Sequence, residues 1–177
     1  MSDERQAISA RPTSPKLVVE RTYRANVAEL WKLWTTKEGF ESWWGPEGCR
    51  VEVRTLEARV DGLLQYAMIT EGVEQIATVK RIGLSTSNEV RARFTEVRPQ
   101  ERLAIVHVMD FVPGVDPYES TIAVDFLSLG KSARMVVTID PMHSEEFTRL
   151  SQEGFAYQLT KLDRRYGTEK GRRRTVQ

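Results

Sequence analysis

The 177-residue chain is sparing with the two side chains most often used for proton transfer, nucleophilic attack and transition-metal binding: its histidines are His107 and His143, and its lone cysteine is Cys49. Two histidines cannot build a three-histidine metal site, and one thiol makes neither an internal disulfide nor a multi-thiolate zinc centre. Cys49 has no histidine near it in sequence, and Arg50 alone is a weak activator of a thiolate. The chain contains no Gly-x-Ser-x-Gly, phosphate-cradling glycine loop or His-Glu-x-x-His pattern. No metal or other cofactor is expected, and binding is favoured over catalysis.

His143 stands between Pro141 and the acidic pair Glu145-Glu146, where a polar residue near a helix start is the simpler reading. His107 differs because it alternates with Ile105, Met109 and Phe111 along one strand face. If that face lines a cavity, the imidazole becomes a polar anchor or a proton-transfer group with a pKa moved by burial. A hydrogen-bonded core histidine is the simpler expectation. Asp110 lies on the opposite face, so a His107-Asp110 dyad is disfavoured and Asp110 is read as capping the turn before Phe111.

The elements that would position these residues follow from the hydrophobic pattern. "KLVVERTYRA" is extended, and Asn26 with Glu29 forms a capping-box signal. Val27, Leu30, Trp31 and Trp34 then recur at helical spacing, and "TTKEGFESWW" reads as a second short helix capped by Thr35 or Thr36 and stopped by Gly45-Pro46. From Arg50 the period is two: "RVEVRTLEARV" and "GLLQYAMIT" flank Asp61-Gly62 as a hairpin. The segment Val73 to Asn88 is ambiguous between helix and strand, with a short helix or ordered loop favoured. Val90, Ala92 and Phe94 share one strand face, "RLAIVHVMDF" is apolar on nearly both faces, and "STIAVDFLSL" and "SARMVVTI" alternate around Gly130-Lys131. A long helix runs from about Ser144 to Tyr166, with Phe155, Leu159, Leu162 and Tyr166 in one stripe and Leu150 and Tyr157 nearly opposite.

All four tryptophans fall between Trp31 and Trp44. Trp31 and Trp34 read as core. Trp43 and Trp44 are adjacent and point about 100° apart on a helix, so one is expected in the core and the other, Trp44, at a cavity mouth.

Lysine plus arginine (26) and aspartate plus glutamate (25) nearly cancel, so charge gives no support to a nucleic-acid partner. The local basic excess after Arg164 reads as a solvated tail. No run approaches the roughly 20 apolar residues of a membrane span, so no membrane insertion is expected. "MSDERQAISARPTSPK" has no apolar stretch and reads as a disordered leader, and the lone cysteine fits a cytoplasmic setting. The expected organisation is a leader over 1–15, one domain over 16–166 and a basic flexible tail over 167–177.

The element order, "VERTYRANVAELWKLWTTKEGFESWWGPEG" and the closing "GFAYQLTKLDRRY" resemble the bacterial family named for homology to the activator of Hsp90 ATPase, within the START-related helix-grip superfamily. Its most specific part is Arg21 on a strand, then Trp31 and Trp34, then Trp43-Trp44 before Gly45-Pro46. Gly154-Phe155 stands where the family often has Gly-Trp, and Asp61-Gly62 where two glycines are usual. The resemblance implies an α+β helix-grip fold: a curled antiparallel sheet of about six or seven strands wrapped around a long C-terminal helix, with two short helices after the first strand. It implies an internal cavity for a hydrophobic or aromatic small molecule. The residues read from the element faces as candidate lining are Trp44, Tyr66, Met68, His107, Met109, Phe111, Phe126, Met135, Phe155 and Leu159, with simple core as the alternative for any one of them. A cyclase- or hydrolase-like enzyme on this fold and a chaperone-associated interaction module are the alternatives. A monomer or weak homodimer is expected.

Overall fold

The computed structural model describes residues 15–169. The expected leader, apart from Pro15, and the tail from residue 170 onward lie outside the described residues. Strand β1 (Leu17–Tyr23) leads into helices α1 (Val27–Thr35) and α2 (Lys37–Glu41). The Asn26 side-chain oxygen accepts from the Glu29 amide at 2.8 Å. Glu29 returns the contact to the Asn26 side-chain amide at 3.3 Å, a variant of the capping box in which the backbone N–H would donate. Helix α1 buries Val27, Leu30, Leu33 and Trp34. Leu33 thus takes the inner place expected of Trp31, which is only partly buried and meets Phe126 edge-on at 5.5 Å.

Thr36 caps α2 by accepting from Gly39 N–H at 3.1 Å. The helix ends at Glu41, so Trp43 and Trp44 lie in the turn that follows. Strands β2 (Cys49–Leu56) and β3 (Leu63–Thr70) form the expected hairpin. Strand β2 stops at Leu56 rather than running to Val60, where local bonds turn the chain: Arg59 N–H donates to Glu57 O and Gly62 N–H to Arg59 O, both at 2.8 Å. Gly62 is required by space: a Cβ there would stand 2.0 Å from Glu57 O.

The ambiguous segment after β3 is helix α3 (Val73–Arg81). Strands β4 (Ser87–Arg98), β5 (Arg102–Met109), β6 (Tyr118–Ser128) and β7 (Ala133–Ile139) complete a seven-stranded sheet of order β1-β7-β6-β5-β4-β3-β2. Every pairing is antiparallel. Bulges at Val53/Thr55 and Phe94/Glu96 shift the register, and such insertions bend and twist a sheet. The convex face carries cross-strand ion pairs, among them Arg54–Glu89 at 3.2 Å and Arg93–Glu119 at 2.9 Å. Asp110, expected to cap a turn, instead pairs with Arg91 on that face.

Helix α4 (Glu145–Tyr166) closes the fold, and its 22 residues reach roughly 33 Å at the usual rise per residue. Ser144 caps it, accepting from Phe147 N–H at 3.2 Å. Tyr23 donates from β1 to the Asp163 carboxylate of α4 at 2.9 Å. Burial and that carboxylate both push the Tyr23 phenol far above its ordinary pKa. Residues 167–169, assigned from sequence to the tail, run along β1: Gly167 O accepts from Arg24 N–H, and Glu169 N–H donates to Thr22 O.

Candidate ligand cavity

The Trp43-Trp44-Gly45-Pro46 turn sits on one stripe of α4. Gln158 Oε1 accepts from Gly45 N–H at 2.8 Å, and both groups are buried. Lys161 Nζ donates to Gly45 O at 3.2 Å, and Arg165 donates to Ser42 Oγ at 3.1 Å. Gly154 faces Pro46, whose Cβ would be 3.2 Å from any Cβ at 154. Positions 154, 158, 161 and 165 recur at helical spacing, so a single face of α4 receives the turn. Partial burial lowers the Lys161 pKa.

The turn fixes each indole separately. Trp43 Nε1 donates to Leu33 O at 3.0 Å, Trp34 Nε1 to Met135 Sδ at 3.4 Å, and Trp44 Nε1 to the Tyr66 hydroxyl at 3.0 Å. The Trp43 and Trp44 rings are nearly perpendicular, at 87°. Trp43 is fully enclosed, while Trp44 borders a cavity of about 530 Å³ between the concave sheet and the N-terminal half of α4.

Register explains which strand residues reach this cavity. Tyr66 opposes Val90, His107 opposes Ser120, and Ile122 opposes Ile139. All six residues line it, forming a band across one end of the concave face from β3 to β7. Helix α3 supplies the opposite wall through Gln75, Thr78 and Val79, with Ile82 and Leu84 following. Gln75 rests against Gly48 and Gly72, where a Cβ would come within 2.6 and 2.0 Å of its side chain. A second concavity, beside Leu17, Asp140 and Gln152, has no room for a water molecule.

Of the ten residues expected at the cavity, Trp44, Tyr66, Met68, His107, Met109, Phe111 and Phe155 border it. Phe126, Met135 and Leu159 do not. Phe126 and Met135 oppose each other at the other end of the same sheet face, under Trp31 and Trp34, and Leu159 is buried in the same core cluster. Alternation identifies a face of a strand but not the distance along it, which is why these three were misplaced. Sequence reasoning missed Ser120, although it stands two residues before Ile122 on the same alternating face. It also missed Gln158, which falls between Phe155 and Leu162 in the apolar stripe.

His107 is 6 % exposed, and among the described residues neither ring nitrogen has a hydrogen-bond partner. The expected hydrogen-bonded core histidine is therefore not found: the ring borders the cavity and has no bonded partner among the described residues. Its ring lies parallel to Trp44 within 11°, with centroids 6.3 Å apart, and meets Tyr66 edge-on at 6.2 Å. Burial lowers its pKa to about 4, so the imidazole is neutral at physiological pH. A neutral imidazole holds one donor and one acceptor, and leaving such a buried group unpaired costs about 1–3 kcal/mol. Burial also raises the Tyr66 phenol well above its ordinary value. His143 lies outside the cavity lining, with Nδ1 2.8 Å from the Tyr118 hydroxyl.

A curled antiparallel sheet closed by a long C-terminal helix, with a cavity between them, defines a helix-grip domain. The family described as Activator of Hsp90 ATPase homolog 1-like protein matches residues 24–167, and the chain belongs to it. Solved structures share the fold at low identity. A protein from Chromobacterium violaceum is 16% identical with a TM-score of 0.69, over 88% of this chain and 99% of its own. One from Arthrobacter aurescens is 18% identical at 0.66, over 92% and 93%. The AHSA1 protein from Silicibacter pomeroyi is 20% identical at 0.64, over 85% and 96%. No curated protein sequence matches the chain. Among the described residues, no helix is long and apolar enough to cross a membrane.

Proposed function

We propose that the domain binds a hydrophobic or aromatic small molecule in the cavity between its sheet and α4, without chemical change to the molecule. The observation that carries this reading is the cavity of about 530 Å³, within the size range of small-molecule sites and walled mainly by apolar side chains. Met68, Met109 and Met142 lie in its wall, and flexible thioethers adapt to varied apolar shapes. The cavity reaches the surface at Glu47 and Glu153, both exposed, which provides an entry. A cytoplasmic location is part of the proposal.

The test is native mass spectrometry of protein purified from its own host, beside the Met109→Trp variant, whose indole would occupy the cavity. A retained small molecule in the parent and none in the variant is the expected result. No retained molecule, together with no response of tryptophan fluorescence to any apolar probe, refutes the reading.

The cyclase- or hydrolase-like alternative draws on the cavity-facing His107 near Tyr66. Against it, no hydrogen bond among the described residues orients the imidazole, and a base with a pKa of about 4 is poorly matched to proton abstraction at neutral pH. The chaperone-associated alternative needs a broad exposed apolar patch. Among the described residues, the exposed large apolar side chains are scattered: Val18 on β1, Val60 in the β2–β3 turn, Leu63 at the start of β3, Val73 at the start of α3, Leu127 near the end of β6 and Leu129 in the β6–β7 turn.

A further inference from the structure

The charged residues bordering the cavity are Glu47 and Glu153, both at its exposed rim. Glu153 is paired with Arg149 at 2.9 Å. Deeper in, the described residues place no Lys, Arg, Asp or Glu in the wall, so a ligand carboxylate or ammonium would be desolvated there without a counter-charge, which is strongly unfavourable. The polar groups at that depth are neutral and close together. His107 and Ser120 are direct cross-strand partners on β5 and β6, and both side chains are buried. Such partners stand with Cβ atoms about 5 Å apart. Tyr66 accepts from Trp44, and no bond donated by its own hydroxyl is found among the described residues. The flanking Trp44 and Tyr66 rings border the imidazole on its face and edge. Its unpaired donor and acceptor therefore belong to the cavity.

We propose that the cavity selects uncharged ring compounds bearing a hydroxyl or carbonyl group, the phenol and ketone class, over carboxylates such as fatty acids, with His107 as the polar anchor. This rests on the reading of the cavity as a small-molecule site and adds the chemistry of what it takes. The hydroxyl or carbonyl of the ligand supplies the missing partner to the imidazole, and Ser120 offers a second bond to the same group. The ring body of the ligand lies against Trp44, Met68, Met109 and Phe155.

The test uses three matched probes, phenanthrene, a phenanthrol and phenanthrene carboxylate, titrated into the full chain and read by tryptophan fluorescence at neutral pH. The phenanthrol is expected to lose about tenfold in affinity in the His107→Phe variant, the size of one hydrogen bond in a buried site. Phenanthrene is expected to bind that variant at least as well as the parent. The carboxylate is expected to bind the parent more weakly than the phenanthrol by at least about tenfold. His107→Gln, which keeps a donor and an acceptor, is expected to retain the phenanthrol preference. It also serves if circular dichroism shows His107→Phe to be unfolded. Equal affinity for the phenanthrol in parent and His107→Phe, loss of the preference in a folded His107→Gln, or carboxylate binding as tight as the phenanthrol, overturns the polar selection while leaving the cavity reading intact. Failure of all three probes to bind overturns both.

Discussion

Gln158 of α4 accepts a buried hydrogen bond from the Gly45 amide at 2.8 Å, tying the tryptophan-rich turn to the helix that walls the cavity. Replacing it by leucine keeps an apolar helix face but strands the Gly45 N–H. Gln158→Leu is expected to lower unfolding free energy by about 1–3 kcal/mol, measured by urea denaturation with fluorescence detection. A Gln158→Leu protein as stable as the parent would show that water replaces the bond.

His107 gives the stability curve a definite sign with pH. Its pKa falls from 6.5 in the free side chain to about 4 when folded, so between those values the unfolded chain binds more protons. Its contribution is fully present above about pH 6.5 and is lost as pH falls toward 4, by about 3 kcal/mol in total. The difference between the parent and His107→Phe curves isolates this contribution from the carboxylates. A constant difference from pH 7 to 4 contradicts it.

Met109→Trp adds volume where the structure has a cavity rather than packed neighbours. Overpacking a filled core costs about 1–3 kcal/mol; here the variant is expected to melt within a few degrees of the parent while losing apolar-probe binding. A strongly destabilised variant would mean that the wall around Met109 cannot receive the ring.

Helix α3 has no fully buried residue, and its N-cap, Gly72, provides no side-chain bond. Its amides are expected to exchange with deuterium at least about tenfold faster than those in the centres of β4 and β5, read by hydrogen-exchange mass spectrometry. Equal protection would show that α3 opens only with the whole domain.

Much of the architecture was legible because each period points to one element. The alternation in β6 and β7, the cap at Asn26, and the long stripe of α4 starting near Ser144 are local signals that the sheet and helix then reinforce. What remained hidden depended on distance along an element or on contacts between elements. Phe126 and Met135 share the cavity's sheet face yet lie at its far end beneath α1. Gln158 looked like an interruption in an apolar stripe because its partner, the Gly45 amide, is remote in sequence. His107 looked like ordinary core because a missing partner leaves no trace in a hydrophobic pattern. The segment forming α3 was ambiguous because a helix with only a partly buried face has a weak apolar signature.

That weakness separates two demands on the chain. The residues sealing the domain lie under α1 and along the C-terminal half of α4, whereas the outer wall of the cavity stands on α3, held at its start by the Glu71 and Gly72 amides on Gly48 O. On the proposed function, substitutions on the cavity side of α3 are therefore expected to alter ligand preference at little thermodynamic cost to the domain.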